Sequence, residues 1–291
     1  MKAILITGAM GLLGSRLVPY LKERGLEIVT HARVTHADVR FDLSDFAESF
    51  KLLNQIKPYM IINLVAMTNV DRCQEEYNKA FLVNTRAVEN LVHWIMVSGA
   101  DCHLVQISTD QVYDGPGPHI EDAVTLTNNY AFSKYASELA AVRVSSTILR
   151  TNFVGRSLLS HRESLTDWVY NSLKTGKNVQ ALNDVFFSPL SIAKLIEMIF
   201  LVLEKKPVGI YNLGSNNGFS KADFIFAFAH RLNLPTNTLT RIEASEASFL
   251  KVYRPKDMRM DNSKFENVLG VKLPNLTDLI ENLTEEYYAP T

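Results

Sequence analysis

The start of the chain joins a β-like segment to a helical one through three evenly spaced glycines. Residues 3–6 form a continuous apolar run with β-branched members, and the leucines that follow recur at helical spacing. The turn between them reads TGAMGLLG, with Gly8, Gly11 and Gly14 in the spacing G-x-x-G-x-x-G. Glycines in such a turn let the backbone approach a pyrophosphate and let the helix pack on the sheet. Glycine also serves purely steric needs in such turns, but the position after an N-terminal strand favours a nucleotide site.

The same alternation of strand and helix continues along the first half of the chain. Apolar runs predict further strands over residues 27–30, 59–65, 104–107 and 147–149. Helical spacing predicts helices over residues 45–56, 71–97 and 129–144, the first of them with Ser44 as its N-cap. Strands that alternate with helices of this length predict an α/β fold, a Rossmann-like doubly wound parallel sheet.

The pattern changes after Gly155 and predicts a second domain. Helices are expected near residues 164–174, 189–203 and 220–232, with strands at 179–182 and 209–213, the last returning to the first sheet. We therefore predict an NADP-binding domain over residues 1–153, with a return segment at about 189–214. A smaller α/β substrate-binding domain over residues 154–291 is interleaved with it.

Composition excludes some function classes. The chain has 30 Lys and Arg against 31 Asp and Glu, a net charge of −1, and no basic stripe, which argues against a nucleic-acid partner. No apolar segment approaches the roughly 20 residues that cross a membrane, and no signal peptide is predicted, so a cytoplasmic protein is expected. Cys73 and Cys102, like the seven histidines, lack metal-ligand spacing, and no metal is expected.

The second predicted strand bears on the choice of cofactor. NAD sites usually carry an acidic residue at its end, where it binds the ribose hydroxyls. Residues 30–33 read THAR and contain no acid. Because a guanidinium matches phosphate oxygens, Arg33 is a candidate for binding a 2′-phosphate, although a solvated surface arginine is the alternative. NADP(H) is therefore preferred, with NAD(H) as the second choice.

Two side chains on the helix predicted at 129–144 suggest proton chemistry. Tyr130 and Lys134 stand four residues apart and share a face. A neighbouring ammonium favours the phenolate, so such a tyrosine can exchange a proton with a carbonyl or an alcohol. Thr109 follows a buried strand and lies at the sheet edge where ligands bind, although an ordinary turn also explains Thr109 and Asp110. The spacing Y-x-x-x-K alone is a common accident on helices.

Several segments together resemble a known family. They are TGAMGLLG, FDLSD, NLVAMTNVD, VNTRAVENL, STDQVYDG, NNYAFSK, ILRTNFVG and RPKDMRMDNSKF. In this order they resemble the extended short-chain dehydrogenases/reductases, and most closely the dTDP-4-dehydrorhamnose reductases, over nearly the whole chain. The resemblance implies that a hydride passes from NADPH to a 4-keto carbon of a nucleotide sugar. It makes Tyr130 the general acid, Lys134 the ligand of the nicotinamide ribose and Thr109 the ligand of the keto oxygen.

The resemblance also implies the residues that bind the two ligands. The cofactor would lie over Met10, Gly11 and Leu12, with its adenine near Asp42 and Leu43 and further contacts from Val65, Ala66 and Met67. Asp110 and Phe153 would line the sugar site with Thr109. For the substrate diphosphate, Arg254 is a candidate beside Arg150 and Lys256, each with a solvated or ion-paired role as the alternative.

Departures from the family pattern leave the substrate open. The related dehydratases carry a glutamate where this chain has Gln111, and glutamine cannot act as that base, so simple reduction is favoured. Met67 stands where a histidine is usual, and residues 183–190 also differ, which leaves a sugar other than dehydrorhamnose open. A non-catalytic regulatory subunit, like the beta subunit of methionine adenosyltransferase, and a sugar-nucleotide epimerase are the alternatives. The sequence leaves the oligomeric state open, a homodimer included.

Overall fold

The computed structural model describes residues 3–33 and 36–288. The strands are β1 (Ile4–Thr7), β2 (Ile28–Ala32), β3 (Val39–Arg40), β4 (Met60–Asn63), β5 (His103–Thr109), β6 (Ser146–Thr151), β7 (Phe153–Val154), β8 (Val179–Leu182), β9 (Phe186–Phe187), β10 (Leu190–Ser191), β11 (Gly209–Leu213), β12 (Phe219–Ser220) and β13 (Leu239–Ile242). The helices are α1 (Gly14–Glu23), α2 (Phe46–Ile56), α3 (Val70–Glu75), α4 (Tyr77–Phe81), α5 (Ala87–Ser98), α6 (Asn129–Ala141), α7 (Leu165–Lys174), α8 (Ile192–Lys205), α9 (Lys221–Arg231), α10 (Ser263–Leu269) and α11 (Leu276–Tyr288).

Seven strands form the central sheet, in the order β11-β6-β5-β4-β1-β2-β3. Strand β1 pairs in parallel with β2 on one side and with β4 on the other, so the chain order reverses next to β1. The carboxyl ends of strands at such a reversal form the crevice where open α/β sheets bind ligands. The predicted Rossmann-like fold is confirmed, and so is the return of residues 209–213 to the first sheet.

The chain divides into two compact units. The first unit contains residues 1–109, 128–150 and 196–211, and the second contains residues 110–127, 151–195 and 212–291. The core of the first unit packs α5 against the sheet, with Trp94, Leu91 and Leu104 almost completely buried. In the second unit, Phe224 packs edge-on against Phe187, with ring centroids 5.4 Å apart. Each unit therefore has an apolar core of its own.

The helix predicted at residues 71–97 is interrupted. It breaks at Glu76 between α3 and α4, and residues Leu82–Arg86 form a π-helical segment before α5 begins. The π-helical turn contains the fully buried Asn84, whose amide bonds outside its own helix. Such turns occur frequently at functional sites. A single continuous helix was therefore the wrong prediction here.

Helix caps show how the local sequence sets the boundaries. The side chain of Asp45, rather than the predicted Ser44, caps α2 by accepting a hydrogen bond from the backbone N–H of Glu48. Ser44 instead donates its hydroxyl to Asp42. The predicted helix after residue 220 is confirmed, and Ser220 caps it through the N–H of Asp223. None of the helices that the structure describes is long and apolar enough to span a bilayer.

Candidate active site

The glycine-rich turn between β1 and α1 brings backbone close to backbone. Gly8 has φ +68°, and a Cβ there would lie 3.0 Å from backbone atoms of Leu64 and Val65. At Gly14 a Cβ would lie 2.5 Å from the carbonyl oxygen of Ala9. Both positions therefore exclude side chains, and we call this turn, together with the N-terminus of α1, the cradle. Unpaired N–H groups at a helix start favour a phosphate there, so the turn fits the pyrophosphate of a dinucleotide.

A line of buried polar side chains supports this turn from below. Thr7 donates its hydroxyl to Asn63 Oδ1 (2.5 Å), and Asn63 Nδ2 donates to Gln106 Oε1 (2.7 Å). Asn63 Oδ1 also accepts the N–H of Val65 (3.3 Å). These bonds run from the carboxyl ends of β1 and β4 to Gln106 within β5, so they tie the three neighbouring strands together.

The residues predicted for the adenosine end of the cofactor follow β2 and β3. Asp42 is half-buried and accepts both the N–H and the hydroxyl of Ser44. Burial alone would raise the pKa of Asp42, but the bonds from Ser44 and the charge of Arg33 hold that pKa below its usual value. Arg33 is exposed. Leu43 is buried, and its carbonyl accepts the side chain of Asn90 (2.8 Å).

The segment after β4 is held by Asn84 from the π-helical turn. Asn84 Oδ1 accepts the N–H of Met67 (2.7 Å), and its Nδ2 donates to the Met67 carbonyl (3.1 Å) and to Ser133 Oγ on α6 (2.8 Å). The backbone of Met67 is therefore positioned by the amide of Asn84, and the N–H of Val65 by the amide of Asn63. Asn84 was not among the predicted site residues, although a polar residue among the apolar positions of VNTRAVENL could have indicated its role.

The three predicted catalytic residues belong to β5 and α6. Lys134 is buried, and its Nζ donates to the carbonyl of Ile107 (2.6 Å), two residues before Thr109. Burial lowers the pKa of Lys134 to about 8, against the opposing charge of Glu138. Tyr130 lies one turn before Lys134 on α6, and both Tyr130 and Thr109 are almost completely buried. The packing of α6 on β5 thus brings the lysine to the end of the strand that carries Thr109.

The second unit gathers a polar cluster from four separate segments. Asn152 Nδ2 donates to the carboxylate of Asp110 (2.8 Å). Burial lowers the pKa of Lys221, the carboxylate of Asp110 opposes that shift and the charge of Arg254 adds to it. Arg254 is half-buried and donates to the carbonyl of Val252 (2.8 Å). The cluster therefore combines two cations with the predicted sugar-site carboxylate, next in sequence to the half-buried Phe153.

Lys221 was missed by the sequence analysis, and one signal was available. It is the first residue of α9, where the helix dipole favours an acidic residue over a cation. Its backbone N–H donates to the carbonyl of Val185 (2.8 Å), and its ammonium lies 5.9 Å from the ring centroid of Phe187. A lysine in this unfavourable position suggests a ligand role rather than a helix-forming one.

Comparison with known proteins places the chain in a family. The sequence profile of the RmlD substrate binding domain matches residues 1–289. This chain belongs to the RmlD substrate binding domain family. Among its relatives, a probable low-salt glycan biosynthesis reductase (Agl14) of Haloferax volcanii is 28% identical, with 94% of each chain covered. The methionine adenosyltransferase 2 subunit beta of Xenopus laevis is 26% identical, covering 96% of this chain and 86% of the relative.

Solved structures agree with this placement. A hypothetical dTDP-4-dehydrorhamnose reductase from Sulfolobus tokodaii is 30% identical, with a TM-score of 0.84, covering 94% of this chain and 97% of the other. A dTDP-4-dehydrorhamnose reductase of Bacillus anthracis, solved in complex with NADP, has a TM-score of 0.88 at 23% identity. Its coverage is 98% of this chain and 100% of the other. The likeness to the Bacillus anthracis structure shows that this RmlD family chain has the same fold as that reductase.

Two of the three cations considered for the substrate diphosphate have other partners in this RmlD family member. The guanidinium of Arg150 is 1% exposed and forms an ion pair with Glu138 (2.6 Å). Lys256 forms an ion pair with Asp184. For Arg150 the structure therefore supports the alternative of an ion-paired role, although the pair is buried and not at the surface. Arg254 stays a prediction.

The unusual residues 183–190 contribute mostly to the core of the second unit. Val185, Phe187 and Leu190 are almost completely buried, so their side chains fill the interior of that unit. Phe186 is half-buried, with the guanidinium of Arg259 5.0 Å from its ring centroid. Among residues 3–33 and 36–288, no group of three or more His, Cys, Asp or Glu side chains is arranged to hold a metal ion.

Proposed function

We propose that this chain reduces the 4-keto group of a nucleotide-diphosphate 6-deoxy sugar with NADPH. One observation carries the proposal: Lys134 is buried, bonded to the carbonyl of Ile107, and stands one turn after Tyr130 beside the strand that ends in Thr109. A buried ammonium beside a tyrosine favours transfer of the phenolic proton. Membership of the RmlD family and the reductases among its relatives support the same reaction.

The proposed roles of the side chains follow from their chemistry. NADPH, when bound, supplies a hydride to the carbonyl carbon. Tyr130 donates its phenolic proton to the carbonyl oxygen, which becomes the hydroxyl of the alcohol, and regains a proton from solvent. Thr109 donates a hydrogen bond to the same oxygen and orients it. Lys134 binds the ribose next to the nicotinamide and keeps its positive charge near Tyr130.

The cofactor proposal rests on the first unit. The cradle closed by Gly8 and Gly14 would hold the pyrophosphate, and Arg33 would bind the 2′-phosphate that distinguishes NADP from NAD. Asp42 and Leu43 would hold the adenine. NADP in the Bacillus anthracis structure, which has the same fold, supports this choice. The proposed ligands, NADPH and a nucleotide sugar, also support a cytoplasmic location. We propose that the chain has no nucleic-acid partner.

Activity is tested with purified protein, NADPH and a panel of 4-keto nucleotide sugars. We expect loss of nicotinamide absorbance with at least one sugar, and Tyr130→Phe should abolish it because the proton donor is removed. Tyr135→Phe is the matched control, since Tyr135 is half-buried on the same helix and lies outside the proposed site. No turnover with any sugar would contradict the proposal. If NADPH still binds, that outcome supports a regulatory subunit, the role that the Xenopus laevis relative's name suggests.

We also propose that the chain forms a homodimer through the outer faces of α5 and α6. Phe132, Leu139 and Val142 on or just after α6 are each at least half exposed, and Met96 on α5 is 50% exposed. A groove of about 450 Å³ lies beside Met96. Apolar patches of this kind mark association surfaces, and a two-fold axis makes one patch self-complementary.

Sedimentation velocity tests the dimer. Leu139→Glu should shift the protein to monomer because a charge would be buried at the interface. Leu158→Glu, at a more exposed leucine of the second unit, should leave the sedimentation coefficient unchanged. A parent protein that sediments as a monomer at micromolar concentration would contradict the dimer.

A further inference from the structure

Three buried polar side chains form a hydrogen-bonded network beside the proposed catalytic residues. Glu138 on α6 is completely buried, and Arg150 on β6 donates to it through Nε (3.1 Å to each oxygen) and Nη2 (2.6 Å). Ser108 on β5, also buried, donates its hydroxyl to Glu138 Oε1. One carboxylate thus connects α6 to the ends of two neighbouring strands.

Stability alone is a poor reason for such a network. Removing two charges from water costs several kcal/mol per ion, and well-packed apolar residues often replace a buried ion pair without loss of stability. The pair is therefore better explained by what lies next to it. Neither Glu138 nor Arg150 has a role in the proposed proton and hydride transfer, so the network is additional to the site already described.

The network lies against each part of the catalytic set. Glu138 stands one turn after Lys134 on the same helix, so the two side chains share a face. Ser108 directly precedes Thr109, and Ile107, whose carbonyl accepts the Lys134 ammonium, precedes Ser108. Glu138 therefore shares a helix face with the lysine and bonds the residue that directly precedes Thr109.

The charges around Lys134 make this arrangement electrostatic as well as steric. Its own helix supplies the negative charge of Glu138, and β6 supplies the positive charge of Arg150, which is paired with that carboxylate. The neighbouring β5 and π-helical segment contribute neutral groups, the carbonyl of Ile107 and the amide of Asn84, which bonds Ser133. The paired guanidinium of Arg150 thus reduces the field that Glu138 exerts on Lys134.

We infer that Glu138 and Arg150 are positioning residues that together set the protonation of Lys134 and hold Thr109 in register with it. Glu138 keeps the lysine charged in a dry environment. Arg150 cancels part of the carboxylate's field, so that the lysine is not held too strongly in its charged form. Ser108 fixes the orientation of the carboxylate. The inference rests on the proposed function, because it assigns Lys134 to cofactor and proton chemistry.

Removal of the Glu138 charge and removal of the Arg150 charge should shift the protonation of Lys134 in opposite directions. A purely structural role would not produce opposite shifts. The measurement is the pH at which NADPH affinity, followed by fluorescence, falls as Lys134 loses its proton. Glu138→Gln removes a negative charge and should lower that midpoint by about 1 pH unit. Arg150→Gln removes a positive charge and should raise it by a similar amount. The double variant should return to within about 0.3 unit of the parent protein.

The basic limb of the pH–kcat profile should move in the same directions. Glu76→Gln, which breaks an exposed ion pair with Arg72, is the matched control and should move neither midpoint. Where Glu138→Gln does not fold, Ser108→Ala supplies the second measurement. It leaves more negative charge on the carboxylate and should raise the midpoint by a few tenths of a unit.

Two results would overturn the inference. One is a midpoint that stays within about 0.2 unit of the parent value in the folded variants. The other is a shift of the same sign for Glu138→Gln and Arg150→Gln. Binding of NADPH does not require turnover, so a parent protein that binds NADPH but reduces no sugar contradicts the proposed function and still reports on the network.

Discussion

The two units of this chain build their candidate sites in different ways. In the first unit, the cofactor cradle consists of backbone at Gly8 and Gly14, fixed by a short line of buried polar side chains. In the second unit, the polar cluster consists of the side chains of Asp110, Lys221 and Arg254, which come from distant segments. A backbone site tolerates little change of shape, whereas a side-chain site can be altered one group at a time.

The largest effect is expected at the cradle. Gly14→Val places a side chain where a Cβ already lies 2.5 Å from the carbonyl of Ala9. The helix must shift. If overpacking of about 1–3 kcal/mol is expressed in the binding of NADPH, the affinity falls roughly 5- to 150-fold, measured by fluorescence titration. Gly25→Ala is the control for backbone strain without a clash: its φ is +77°, but nothing lies within 4 Å of the added Cβ, so NADPH affinity should not change. Unchanged NADPH affinity in Gly14→Val would mean that the cradle does not bind the cofactor.

A smaller and more selective effect is expected in the second unit. Lys221→Met removes one cation from the cluster and should raise the KM for the nucleotide sugar roughly 10-fold. This factor corresponds to the free energy of one hydrogen bond to a charged group. The affinity for NADPH should not change. Lys177→Met, at an exposed lysine of the same unit, is the matched control. An equal loss of NADPH affinity in Lys221→Met would contradict the separation of the two sites.

Arg33 is the exposed side chain in an otherwise backbone-built site. Arg33→Ala should weaken NADPH binding several-fold, up to about 10-fold, and leave NADH binding unchanged, since only NADPH carries the 2′-phosphate. The ratio of the two dissociation constants is the quantity to measure. If both constants rise together, Arg33 acts through the fold rather than through the phosphate.

The smallest effect on function is expected at His103, which should change stability alone. Burial lowers the pKa of His103 to about 4, and the ring bonds to the hydroxyls of Ser145 and Thr147. Between pH 6.5 and 4, His103 therefore binds a proton in the unfolded chain but not in the folded protein. The free energy of unfolding falls as the pH decreases through that window. The loss should be about 1–3 kcal/mol in urea unfolding. His103→Gln should remove the slope, and His93→Gln, at an exposed histidine, should not.

The sequence was informative where a structure depends on neighbours in the chain. The strand, glycine turn and first helix depend on residues 3–23, and a local pattern is enough to find them. The π-helical segment depends on Asn84 bonding to Met67 and Ser133, which are 17 and 49 positions away. Arg150 looked available for a phosphate because its partner Glu138 lies on another element. Lys221 joins Asp110 only through the tertiary fold, so no spacing rule could reveal it.

The central claim is that Tyr130, Lys134 and Thr109 direct a hydride to a sugar ketone. The most direct measurement uses NADPH deuterated at the transferable position of the nicotinamide, with a 4-keto nucleotide sugar, and mass spectrometry of the product. The account predicts an alcohol with one deuterium on carbon 4 for the parent protein and Tyr135→Phe, and no such product for Tyr130→Phe. Deuterium that stays on the nicotinamide while NADPH remains bound, or full activity of Tyr130→Phe, would contradict it.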